Sequence, residues 1–234
     1  MLIIAEIGQN HNGDIGIAQQ LIYAAKKNGA HIAKFQLYDV DSIFPSTFEW
    51  YREAKEAQLT KEHVIRLAKE CERAGIEFMA SVFDLGRVQW CEEVGMKRYK
   101  IASRSIFNQP LIETVLSCGK DVIISLGMWK KKSLPRIKGR GRVDFLYCVP
   151  KYPTELEDVD FLQIDFNEYS GFSDHTIGIE AALVAIARGA RIIEKHFTLD
   201  KTMHGPDHAC SMEPSELRNL ARHAQQFERV LYHV

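Results

Sequence analysis

Eight short apolar runs, each set off from the next by a stretch of different period, restrict the fold of this chain more than any other feature. The runs are Leu2–Ile7, His31–Gln36, Glu77–Ser81, Arg98–Ala102, Asp121–Ser125, Val143–Cys148, Glu168–Phe172 and Arg191–His196. Runs this short suit buried strands and are too brief for core helices. Between most of them lie amphipathic stretches of helical period: Ile15–Asn28, Lys61–Ala74, Leu85–Val94, Pro110–Ser117, Ile177–Arg188 and Pro214–Leu231. Gly29, Gly75, Gly95, Gly119 and Gly189 stand where helices are expected to end. Strands that alternate with helices pair in parallel through crossovers, and eight such units close a barrel. The predicted fold is therefore α/β, a TIM (β/α)8 barrel.

Two segments break the pattern. Lys130–Arg142 is basic and carries Pro135, Gly139 and Gly141, so the fifth helix is expected to be shortened or absent. Val40–Ala57 is too long for a simple loop and brings Phe44, Phe48, Trp50 and Tyr51, which predicts a lid over the barrel mouth. No linker, repeat or low-complexity run divides the 234 residues, so one domain spanning 1–234 is expected.

Composition excludes several classes of function. A formal net charge of −1 provides no global field to draw in nucleic acid or an acidic membrane surface. The hydrophobic share of 46% and charged share of 26% are those of an ordinary soluble domain. Five scattered cysteines without a CxxC pair fit reduced thiols in a cytoplasmic protein. The N-terminal apolar run lacks a basic flank and a cleavage site, and no stretch has the roughly 20 apolar residues needed to span a bilayer.

In such a barrel, chemistry is built at the C-terminal ends of the strands. Glu6 ends the first run, Lys34 and Gln36 share one face of the second, and Ser81 closes the third. Lys100 and Ser103 close the fourth, Ser125 the fifth, and Tyr152 follows the sixth. Ser173, Asp174 and His175 follow the seventh, while Glu194 and His196 share a face of the eighth. His175 and His196 form a candidate pair for a divalent metal. Lys34 and Lys100, with nearby hydroxyls, form a candidate clamp for phosphate or carboxylate; the other reading of each lysine is a salt bridge in the barrel floor. Asp207, in the run Gly205-Pro206-Asp207-His208, either reaches over the mouth or merely belongs to a solvated turn. Glycine-rich phosphate loops of the P-loop or dinucleotide kind are absent.

The segments AEIGQNHNGD, AKFQ, ASVFD, YKIAS, VIISLGM, YPT, GFSDHTIG and IEKHFTLD with GPDH resemble, in order, the N-acetylneuraminate synthase family of sialic, legionaminic and pseudaminic acid synthases. The resemblance runs from about residue 4 to 220. It implies a TIM barrel that condenses phosphoenolpyruvate with an N-acetylated amino sugar, N-acetylmannosamine-like, using Mn2+ or Mg2+, and it implies a homodimer. Position by position it makes His175 and His196 the metal ligands. Lys34, Ser81, Lys100, Ser103, Tyr152 and Ser173 would hold phosphoenolpyruvate, and Glu6, Gln36, Glu194 and Asp207 would face the sugar. Glu194, Glu6 and Lys100 are the candidate catalytic groups.

Three departures from the family's pattern accompany the resemblance. The antifreeze-like domain that usually follows the barrel is expected to be missing here or supplied by another chain. Arg104 and Ser105 replace a small residue and an acid, which alters the sugar side. Pro150 replaces a small polar residue and is expected to remove a hydrogen bond to phosphoenolpyruvate. The competing expectations are a related 3-deoxy-sugar-acid phosphate synthase and a non-catalytic paralogue that binds phosphoenolpyruvate or a sugar.

Overall fold

Eight parallel strands close on themselves in sequence order in the computed structural model, which describes residues 1–131 and 133–232. They are β1 (Leu2–Gly8), β2 (Ile32–Leu37), β3 (Glu77–Val82), β4 (Arg98–Ile101), β5 (Asp121–Ser125), β6 (Val143–Cys148), β7 (Gly171–Asp174) and β8 (Ile192–His196). β1 pairs with both β2 and β8, which completes the ring. The helices are α1 (Ile15–Lys27), α2 (Val40–Ile43), α3 (Tyr51–Glu56), α4 (Lys61–Ala74), α5 (Leu85–Glu93), α6 (Gln109–Ser117), α7 (Glu180–Ala187) and α8 (Pro214–Tyr232). Among the described residues no helix is long and apolar enough to cross a membrane.

The barrel interior is layered, as the strand period of two requires. Ile4, Ile32, Met79, Ile123, Leu146 and Ile192 form a dry apolar plug within the ring. Two residues further along the same strands stand Glu6, Lys34, Ser81, Ser125, Cys148 and Glu194. The plug is thus a floor, and the polar layer above it is the site. The larger core lies outside the ring, where the outward faces of the strands meet the helices, as with Ile3, Ala33, Ala80 and Val122 against Leu21, Leu67 and Val115. Gly171 opens β7 because backbone passes close by: an added Cβ would stand 1.9 Å from the carbonyl oxygen of Ile192.

Two boundaries of the seventh unit differ from expectation. The seventh strand is Gly171–Asp174 rather than Glu168–Phe172, because the amides of Glu168 and Tyr169 close a turn on the carbonyl of Asp165. Ser173 and Asp174 therefore lie in the strand and not beyond it. The seventh helix starts at Glu180 rather than Ile177, after a turn in which Gly178 takes a φ of +82°. Among the described residues of 126–142 there is no helix at all, the absent one of the two outcomes expected for the fifth helix; Lys132, within that segment, and the C-terminal residues His233 and Val234 lie outside the described residues. Leu134 and Ile137 pack on the core from this extended path. β6 is likewise followed only by single 3-10 turns at Leu156–Asp158 and Phe161–Gln163, with Phe161, Ile164 and Phe166 covering the barrel in place of a helix.

Candidate active site

The polar layer encloses a pocket lined by Glu6, Lys34, Gln36, Ser81, Lys100 and Ser103 on one side. Ser125, Cys148, Tyr152, Ser173, His175, Glu194 and His196 also line it, with Asp174 and Lys195 among the remaining lining residues. Eleven of the twelve candidates named above therefore converge on one cavity, and Asp207 lines the cleft immediately outside it.

Its floor is a charge network. Lys34 Nζ stands 3.0 Å from Glu194 Oε2 and 3.2 Å from Glu6 Oε2, and it donates to Ser81 Oγ at 3.0 Å. Lys100 donates to Ser125 Oγ at 2.7 Å and to the carbonyl of Ile101 at 3.2 Å, with Glu194 Oε1 3.5 Å away. Ser173 donates to Glu194 Oε1, and Gln36 Nε2 to Glu6 Oε1. The salt-bridge reading of the lysines holds, and both side chains also line the pocket. Burial pushes the Glu194 carboxyl up, yet Lys100 and Lys34, with hydrogen bonds from Lys34 and Ser173, outweigh it and hold the group at about 2. Burial likewise pulls Lys100 down, against the pull of Glu194. For Lys34 the two glutamates overcome burial and raise it.

The histidines stand at adjacent strand ends, β7 and β8, with ring centres 5.9 Å apart. Two imidazoles whose nitrogens sit about 2.0–2.3 Å from one ion place their ring centres about 5 Å apart, so a modest approach of the two rings would let them share one. His175 Nδ1 lies 2.9 Å from the carbonyl of Val149, so it carries the proton and leaves Nε2 with a free lone pair. Burial, followed by His196, pushes His175 down to about 3, which keeps it neutral as a ligand must be. His196 Nδ1 is shut from water and has no hydrogen-bond partner, an expense that a ligand would remove. The pair thus fits a divalent ion. Among the described residues no group of three or more His, Cys, Asp or Glu side chains is arranged to hold one, so substrate and water would complete the coordination.

Local backbone sets the walls. β1 shifts register between Glu6 and Gly8, and Gly8 takes a φ of +53°. A Cβ there would press on Gln36 Nε2, His196 Cε1 and Glu6 Oε1, so the glycine leaves room for the site as well as the turn. Ser103 accepts from the amide of Met128 at 2.6 Å. The Tyr152 ring lies 4.0 Å from His175, centre to centre. Asp174 and Lys195 border the pocket and are engaged with each other. Lys195 Nζ meets Asp174 Oδ2 at 3.0 Å, and Asp174 Oδ1 accepts from the amide and hydroxyl of Thr176. This pair is wholly buried and ties together the two strands that bear the histidines.

Ser125, at the end of the fifth strand, faces the site, because its alternation with Ile123 puts it inside the barrel. No sequence signal pairs Asp174 with Lys195. Pro150 lines the outer cleft and not the inner pocket, so the hydrogen bond it was expected to remove lies away from the charge network. Arg104 donates to the carbonyl of Ile43 at 2.8 Å and lies 4.8 Å over the Phe44 ring, which ties the fourth-strand loop to the predicted lid.

A closed (β/α)8 barrel with a buried, charged pocket at the C-terminal ends of its strands has the architecture of a barrel enzyme. The chain belongs to the NeuB family, whose model matches residues 21–234. It is 36% identical over 98% of its length to the N,N'-diacetyllegionaminic acid synthase of Legionella pneumophila, covering 72% of that protein. It is 34% identical over 98% of its length to the N-acetylneuraminate-9-phosphate synthase of Homo sapiens, covering 70% of it. The solved N-acetylneuraminic acid (sialic acid) synthetase of Leptospira borgpetersenii, in complex with citrate, superposes with a TM-score of 0.90 at 32% identity. That match covers 99% of this chain and 85% of the other.

Proposed function

We propose that this protein condenses phosphoenolpyruvate with an N-acetylated amino sugar, giving a nonulosonic acid of the sialic-acid type and phosphate. What carries the reading is the convergence of Lys34, Lys100, Glu194 and the His175–His196 pair on a single pocket. Names borne by the family's relatives support it.

The new C–C bond joins C3 of phosphoenolpyruvate to the aldehyde carbon of the open-chain sugar, whose oxygen takes up a proton. Water adds to the cationic C2 and loses a proton. The C2–O bond to phosphate then breaks with its electron pair leaving on phosphate, while the C2 hydroxyl gives up its proton and becomes the keto group. Lys34 and Lys100 bind the phosphate and carboxylate, with Ser81, Ser103, Ser173 and Tyr152 directing hydrogen bonds to them. Mn2+ or Mg2+ held by His175 and His196 would supply Lewis acidity at the aldehyde. Glu194 takes the proton of the attacking water, with Glu6 and Gln36 orienting the sugar hydroxyls. At about 2 Glu194 is a poor base, and an anion bound to Lys34 and Lys100 would weaken the hold of both lysines on it. Substrate binding therefore raises its proton affinity when a base is needed.

The test is phosphate release from phosphoenolpyruvate with Mn2+ over a panel of N-acetylated hexosamines. Turnover is expected with at least one sugar, is lost on chelation, and is abolished in His175→Ala and His196→Ala without loss of fold. Tight phosphoenolpyruvate binding with no release for any sugar would establish the non-catalytic reading instead.

A further inference from the structure

Among the described strands, β6 differs from the other seven in how its outer face is covered. Elsewhere the outward side chains are buried, from Ile3 and Phe35 to Phe172 and Ile193. On β6, Val143, Phe145 and Tyr147 are each only half-buried. The cause is local: among the described residues, neither the connection before β6 nor the one after it carries an α-helix. A parallel sheet is normally covered on both faces, so this flank of the barrel is short of cover. Two leucines of the connection after β6 add to the apolar surface, Leu156 and above all Leu162, which is 89% exposed.

The two connections carry opposite charge. The one before β6 brings Lys130, Lys131, Arg136, Lys138, Arg140 and Arg142, all exposed, and no acid. It runs on the β5 side, where Gly139 lies against Leu116 of α6 and Gly141 against the backbone of Lys120. The one after β6 brings Glu155, Glu157, Asp158, Asp160, Asp165 and Glu168, also exposed. It runs on the β7 side: Phe161 meets the ring of Phe172 at 5.6 Å, and Arg188 of α7 donates to the carbonyl of Ile164. Among the described residues no ion pair joins the two paths. Their charges are engaged within the chain only where Arg142 meets Asp144 and Lys151 meets Asp158.

A surface with a basic edge, an apolar centre and an acidic edge is complementary to itself. A two-fold axis parallel to β6 lays the basic path of one copy on the acidic path of the other, twice, and brings the apolar centres together. An axis across β6 would set like charge on like, and a partner of one sign would satisfy one edge and oppose the other. We propose that this flank is an interface between two copies of the chain, related by a two-fold axis running alongside β6.

Sedimentation of the full chain over a range of concentration and salt tests it. A dimer is expected at low ionic strength, with a Kd that rises as salt is added. Lys138→Glu with Arg140→Glu makes both edges acidic, and Glu157→Lys with Asp160→Lys makes both basic. Each double variant by itself is expected to raise the dimer Kd about tenfold or more. An equimolar mixture of the two is expected to recover dimers, because every edge again meets its opposite. Leu162→Asp, which leaves the basic path untouched, is expected to weaken the dimer as well and serves if a double variant does not fold. A chain that is monomeric at every concentration overturns the proposal and leaves the flank to a different partner. A dimer indifferent to both reversals, or two weakened variants whose mixture stays monomeric, overturns it equally.

Discussion

Lys34 on β2 and Glu194 on β8 meet 3.0 Å apart above the apolar floor of the barrel, reaching past β1 between them. With Glu6 and Lys100 they make a four-charge group that is electrically neutral before any ligand arrives. A neutral floor avoids the cost of isolated buried charges. It also means that an entering anion competes with carboxylates for the lysines, and does not find them waiting.

Lys100 makes the weaker contact with Glu194, at 3.5 Å, and is the lysine more readily redirected. Lys100→Met should raise KM for phosphoenolpyruvate about tenfold or more, the scale of a lost hydrogen bond to a charged group. If the charge also stabilises departing phosphate, kcat falls with it. Steady-state kinetics with the acceptor saturating separates the two effects. An unchanged KM would show that Lys100 serves only the floor.

Asp174 and Lys195 form the buried pair that ties β7 to β8. Removing one partner of such a pair leaves a bare buried charge and costs about 3–5 kcal/mol. Lys195→Met and Asp174→Ala should each lower the urea midpoint accordingly. Asp174→Leu with Lys195→Met should recover much of the loss, because the combination strands no charge. Double-mutant-cycle denaturation measures this coupling, and additive losses would show that the two do not act as a pair.

Most of the barrel could be read from period alone, because a buried parallel strand needs a continuous apolar run and a charged strand end needs a reason. That logic put Glu6, Lys34, Lys100, Glu194 and both histidines on one rim. It failed where tertiary context overrode local pattern. Glu168–Phe172 has a strand-like composition, but the Asp165 turn takes its first residues and moves the strand on. Leu134, Ile137, Phe161 and Phe166 cover the barrel without helical period, so the loss of a fifth and a sixth helix left only breakers as a clue. The Asp174–Lys195 pair depends on which side chains face each other across strands, which one sequence does not state.

His11 is buried beside Phe35, and its Nδ1 accepts from the amide of Gly13 at 3.1 Å. Burial, followed by the charge of His63, pulls its pKa down to about 4. The unfolded chain titrates this group near the ordinary value of about 6.5, so between those two values the unfolded state binds the extra proton. Stability is thus present above about 6.5 and is lost as pH falls toward about 4, by up to about 1.4 kcal/mol per pH unit. His11→Asn keeps an acceptor where Nδ1 stands and removes the titration. Urea midpoints between pH 7 and 4 should fall less steeply for the variant, and identical slopes would rule His11 out.

The Val40–Ala57 segment carries the cover expected of it in form: α2 and α3 flank an aromatic pair, Phe44 and Phe48, that walls the outer cleft. It is held from both sides. Tyr38 donates its hydroxyl to the carbonyl of Ala54 from the barrel, and Arg104 grips Ile43 and Phe44 from the fourth-strand loop. A wall of this kind keeps water from the far end of the acceptor, and exclusion of water strengthens the charge contacts in the pocket behind it. In the proposed reaction the phosphoenolpyruvate groups would lie deeper, against Lys34 and Lys100, and would not need it. Phe44→Ala with Phe48→Ala should therefore reduce kcat/KM for the acceptor by about tenfold or more, each ring being worth a few kcal/mol of apolar contact at most. KM for phosphoenolpyruvate should change less than about twofold. Equal losses for both substrates would mean that the segment supports the barrel as a whole, and no loss for either would mean that the acceptor is covered by something other than these two rings.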